Sequence, residues 1–165
     1  MTKTYRKGAI GALMDEYERA SSDLKLLLRD ISEDRFIEIL DTQTKDNDCR
    51  STQTIITHVL AAGYGYADYI RGVLGIPASR PDRRLLSRPE VEAQLDAMVE
   101  YTVHTLEGRW EMTDDEMMSM VIDSRWGVRY DLEQLLEHAI VHILRHRRQI
   151  ERLIQSTGMV GSSGV

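Results

Sequence analysis

The sequence predicts an all-α protein: a four-helix bundle with a long crossover connection and a short extra helix. Three observations carry this. Apolar residues recur at three- and four-residue steps through four long segments, the mark of helices with one buried face. No segment alternates apolar and polar residues for long enough to make a convincing strand. All three prolines fall between Gly75 and Pro89, a stretch long enough to run the length of a bundle instead of turning back in a tight hairpin.

The first helix runs from Gly8, with Ile10, Leu13, Tyr17, Ala20, Leu24 and Leu28 on its apolar face, and breaks after Arg29. Ser32-Glu33-Asp34-Arg35 then reads as a capped start for a short turn ahead of Phe36 and Ile37. Asp41 to Arg50 is polar and reads as a loop. Ser51 or Thr52 caps the second long helix, whose stripe includes Ile55, Ile56, Val59, Leu60, Gly63 and Ile70. Pro89, followed by Glu90 and Glu92, opens the third, which Gly108 ends. Thr113-Asp114-Asp115-Glu116 caps a short Met-rich helix, in which Met117, Met118 and Met120 are packing residues in preference to a copper site. Val121 to Tyr130 reads as a loop or short irregular strand. Asp131 caps the last helix, which runs to about Gln155 and leaves Thr157–Val165 as a flexible tail on a single domain spanning residues 1–156.

A length of 165 residues, with 42% hydrophobic and 29% charged residues, suits one globular domain with a core of its own. The formal charge of −6, with basic residues interspersed among acidic ones, gives no electrostatic reason to approach nucleic acid or an anionic membrane. Cys49 is the single cysteine, so there is no intrachain disulfide and no thiolate cluster, and a cytoplasmic setting is expected. No apolar run reaches the roughly 18 residues of a membrane span. Any metal must therefore be held by histidine and oxygen ligands.

The last helix places His138, His142 and His146 four residues apart, one above another. At about 100° per residue, His146 lies about 20° from the centre of the apolar stripe, His142 about 60° and His138 about 100°. His142 and His146 form the inward pair and His138 sits at the edge. Two buried imidazoles need partners, because leaving each unpaired costs on the order of 1–3 kcal/mol. Backbone or carboxylate partners would satisfy them as core histidines; a shared divalent ion would satisfy both at once. On the second long helix His58 lies off the main stripe, on a face shared with Ala62, Gly65 and Tyr69, where small residues leave space between helices. His104 points to the surface. A zinc protease is unsupported, since Ala139 follows His138 where that motif needs a glutamate, and no Gly-x-Ser-x-Gly elbow supports an esterase.

His142-Ile-Leu-Arg-His146-Arg-Arg-Gln149 resembles the His-x-x-x-His-Arg-Gly-Gln signature on the last helix of the DinB/YfiT-like metalloenzymes. Thr57-His58-Val59-Leu60-Ala61-Ala62 resembles the segment that supplies their other histidine, and order and spacing are similar from Ile10 to Ile154. Arg148 departs from the family's frequent glycine. The resemblance implies a DinB-type bundle in which His58, His142 and His146 hold one divalent ion, zinc or nickel first and iron or manganese next. It implies a metal-dependent enzyme of the thiol S-transferase or hydrolase class acting on a small-molecule substrate, with a low-molecular-weight thiol as the expected partner, and a homodimer. The rival is a non-catalytic helical-bundle protein of stress response or interaction. Tyr66, Tyr69, Trp126 and Arg145 line the mouth of such a site or are ordinary packing and surface residues. Gln149 orients a ligand or water, or makes a helix–helix hydrogen bond.

Overall fold

A computed structural model describes residues 4–158. Six α-helices carry the described residues: α1 Gly8–Leu28, α2 Glu33–Ile37, α3 Thr52–Val73, α4 Val91–Leu106, α5 Asp114–Ser119 and α6 Leu132–Gly158. Two short strands, β1 Ile122–Asp123 and β2 Arg129–Tyr130, pair antiparallel, so the region read as a loop or irregular strand is a small hairpin. The last helix continues past Gln155 to Gly158, and the remainder of the expected tail lies outside the described residues.

The starts are set by side chains that satisfy otherwise unpaired backbone N–H groups. Ser32 accepts from the Arg35 N–H, Ser51 and Thr54 form a reciprocal capping box, and Thr113 and Glu116 form another. Asp131 accepts from the Gln134 N–H at 2.8 Å while the Gln134 side chain accepts from the Asp131 N–H at 3.1 Å. Before α4 the chain takes a 3-10 turn over Arg88–Glu90, capped by Ser87, so the helix proper begins two residues after Pro89.

In the bundle α1 packs on α4 and α6, and α3 packs on α4 and α6. Cross-helix contacts fix the directions. Met98 meets Gly63, Tyr101 donates to Asp68, and Arg71 donates to Thr105, so α3 and α4 run parallel. His58 meets His146 while Tyr66 meets His138, so α3 and α6 run antiparallel. Arg88 donates to the Leu28 carbonyl at the end of α1, and Gly8 abuts the Trp110 carbonyl beyond the end of α4, so α1 and α4 run antiparallel. The order is up-down-down-up. A parallel α3–α4 pair requires the chain to return along the bundle before α4 starts, and the 14 residues between Val73 and Arg88 can reach about 45 Å against about 33 Å for the 22 residues of α3. That is the physical reason for the proline-rich connection.

Gly63 marks the tightest approach. A Cβ there would lie 2.1 Å from Met98 Sδ and 2.9 Å from Tyr17 Oη. The core around it holds Ile10, Met14, Leu24, Phe36, Ile56 and Leu95, all fully buried. Met117 in α5 and Met120 just after it are buried whereas Met118 is exposed, so two of these three methionines serve packing.

Candidate metal centre

The antiparallel crossing of α3 and α6 brings His58 opposite His142 and His146. The Nε2 atoms of His58 and His142 lie 3.1 Å apart, and one nitrogen from each of the three rings falls within 4.8 Å of the others. Ring centroids are separated by 5.0 Å for His58–His142, 4.9 Å for His58–His146 and 4.5 Å for His142–His146. His142 and His146 are both buried, whereas His58 is half-buried at the edge. The expected gradient between the two α6 histidines is absent because α3 covers both.

Their second nitrogens show which face of each ring is free to bind. His146 Nδ1–H donates to Gln149 Oε1 at 2.9 Å, one helical turn on, which leaves the lone pair on Nε2. That Nε2 is buried and has no hydrogen-bond partner among the described residues. His58 Nδ1 faces Asp48 Oδ2 at 3.4 Å, and Asp48 is itself held by Arg83. A carboxylate or carbonyl on Nδ1 fixes the tautomer that presents Nε2 to a metal. Two Nε2 lone pairs 3.1 Å apart repel unless one ring carries a proton there or a cation lies between them; two nitrogens at tetrahedral positions on zinc are about 3.3 Å apart.

Either arrangement needs neutral rings, and burial supplies them on α6. Burial pushes the His142 pKa down to about 3, with the neighbouring His146 and His58 adding to it, and burial also lowers that of His146 against the opposing pull of Gln149. The two α6 rings are thus held neutral, the form that ligates. The residues present fit a divalent ion.

A cleft of about 600 Å³ opens beside His58 and His142. Ala61, Ala62 and Gly65 supply its floor on the α3 face that His58 occupies, so the small residues do leave room there. Tyr66, Tyr69, Trp126 and Arg145 line it as well. His138 belongs to this wall and not to the three-histidine group: it stacks on Trp126 with 5.8 Å between centroids and lies 3.4 Å from Tyr130 Oη. His104 is exposed on α4, away from the cleft.

A model of the DinB family matches residues 1–161. The chain belongs to the DinB family. No curated protein matches it. Within this DinB chain the structure adds residues that spacing did not single out: Asp48 behind His58, and Arg80 and Arg125 on the cleft wall. Neither Asp48 nor the arginines carried a local signal, because the loops that bring them in are fixed only by tertiary contacts. Gln149 takes a third role beyond the two expected, fixing the His146 ring.

Proposed function

We propose that this protein is a metal-dependent enzyme of the DinB type, in which His58, His142 and His146 hold one divalent ion, zinc or nickel ahead of iron or manganese, and a small molecule reacts in the adjoining cleft. The observation that carries the reading is the buried His146 Nε2, partnerless among the described residues while Gln149 occupies the other nitrogen of the same ring. A bound divalent ion on three neutral imidazoles keeps positions for a water or thiol and lowers its pKa, which supplies hydroxide or thiolate near neutral pH. Hydrolysis and thiol S-transfer both draw on that chemistry, and a low-molecular-weight thiol fits the transfer reading.

The chain's own residues supply the rest. Gln149 and Asp48 orient two of the rings, Tyr66 and Trp126 form an apolar wall, and the hairpin carrying Trp126 shields one side of the cleft from water. A cytoplasmic homodimer completes the proposal; sedimentation as a monomer at micromolar concentration removes the dimer from it. No described helix is long and apolar enough to cross a membrane.

Elemental analysis of the purified protein tests the centre. About one divalent ion per chain, lost in H58A, H142A and H146A, is expected. A protein without metal that shows no change in thermal stability on adding zinc or nickel would instead favour the non-catalytic bundle. Thiol transfer to an electrophilic acceptor, and hydrolysis of activated esters and amides, then decide the reaction class.

A further inference from the structure

The cleft wall is more cationic than the chain that builds it. Arg80, Arg125 and Arg145 stand against a single acid, Asp68, giving a formal +2 on the lining of a protein whose net charge is −6. Arg80 is accounted for, since its Nε lies 3.2 Å from Asp68 Oδ2. Arg125 and Arg145 have no carboxylate within ion-pair distance among the described residues. Guanidinium groups facing one cleft without internal counter-ions form a receptor for an anion.

Both arginines are held by their backbones. Arg125 sits in the β1–β2 hairpin, where its N–H donates to Tyr69 Oη at 2.9 Å, while Ser124 Oγ donates to the Val128 carbonyl at 2.7 Å and accepts from the Val128 N–H at 3.1 Å. Gly127, at φ +82°, makes the turn that this closure needs. Arg145 stands on α6 one turn from His142 and lines the same cleft as His142, His138 and Tyr66. The same lining is also aromatic: Trp126 stacks on His138 at 23° and meets Tyr66 edge-on with 6.2 Å between centroids.

We propose that this cleft binds a small molecule with a carboxylate on a flat apolar body, the carboxylate held by Arg125 and Arg145 and the body against Trp126 and Tyr66. The arginine fork matches a carboxylate in the plane of its two oxygens. The lining begins six residues into α3 and six into α6, so it lacks the helix-start N–H groups that would add to the arginines in favour of a phosphate. The volume lies in the range of small-molecule sites. Only the direction of the reacting end, toward His58 and His142, rests on the metal-centre reading; the anion preference does not.

Benzoate and its neutral counterpart benzamide are the probes, titrated into the full-length protein in metal-free and zinc-loaded forms. The readout is the indole N–H signal of Trp126, assigned by its loss in W126F. Benzoate is expected to shift this signal and to bind about tenfold more tightly than benzamide in both forms, the contribution of one net charge-assisted hydrogen bond. R125Q/R145Q, two exposed changes, is expected to abolish the preference. Equal affinities overturn the proposal, as does a preference that survives in R125Q/R145Q. A preference confined to the zinc-loaded protein also overturns it, since the anion would then sit on the ion, and leaves the metal centre standing. A preference in metal-free protein that takes up no zinc supports this proposal and removes the metal centre.

Discussion

Replacing Gln149 by leucine removes the acceptor that His146 Nδ1–H has among the described residues and leaves size and helical propensity nearly unchanged. In the native protein the 2.9 Å bond fixes the ring and its tautomer. Without it, His146 divides its proton between two nitrogens and its ring between two orientations, and an incoming ion must pay for the selection. Loss of such a supporting contact weakens metal affinity by about tenfold to a hundredfold, or about 1.4–2.7 kcal/mol. Competition for zinc against a chromophoric chelator at neutral pH reads this directly, with thermal melts of the metal-free proteins showing that both are folded. Q149E supplies the contrast: a carboxylate on Nδ1–H makes Nε2 more basic, so affinity is retained or raised. Zinc affinity in Q149L equal to that of the native protein would refute the role given to Gln149, and with it the assignment of His146 Nε2 as the binding nitrogen.

Other expectations concern acid, packing and the third α6 histidine. The folded pKa of His142 is lowered from an ordinary 6.5 to about 3, so the unfolded chain takes up its proton first as pH falls. Metal-free protein is therefore most stable above about pH 6.5 and loses up to on the order of 5 kcal/mol toward pH 3, read as a falling urea midpoint; a midpoint constant from pH 7.5 to 4.5 contradicts this. Gly63→Ala drives a methyl into Met98 and Tyr17 and is expected to cost about 1–3 kcal/mol, with M98A in the same chain recovering part of it in urea titrations. His138→Ala is expected to keep the metal stoichiometry of the native protein and to alter only ligand binding in the cleft; loss of the ion would return His138 to the ligand set. Zinc at a hundred times its dissociation constant is expected to stabilise the protein by about 2.7 kcal/mol and to leave H142A unchanged.

The helices and their starts were legible because each signal is local. Ser32, Ser51, Thr113 and Asp131 all cap where a polar residue precedes an apolar period, since hydrogen bonds across three residues do not depend on the rest of the fold. The face of α3 shared by His58, Ala62 and Gly65 was equally readable, because angular position on a helix follows from sequence number. What spacing left unread depends on distance along the chain. Asp48 comes from a loop whose polar composition marks it as a loop and nothing more, and its pairing with His58 and Arg83 is tertiary. The β1–β2 hairpin is too short for alternation to register, yet it delivers Arg125 and Trp126 to the cleft. The near-equal burial of His142 and His146 likewise escaped a single-helix calculation, because the crossing of α3 decides it.

The exposed connection between α3 and α4 has a consequence for how the molecule can be divided. It lacks helix or strand across Ile76–Ser87 and carries the adjacent basic pair Arg83-Arg84. A trypsin nick there would give two fragments that share one bundle, with His58 on the first and His142 and His146 on the second. Neither fragment holds the full histidine group, so an ion bound there would add one tie between halves that already share the apolar core of α1, α3, α4 and α6. The centre would then act as a reversible clasp between the two parts of the chain, and a chelator would weaken the nicked molecule by that one tie while the shared core still held it.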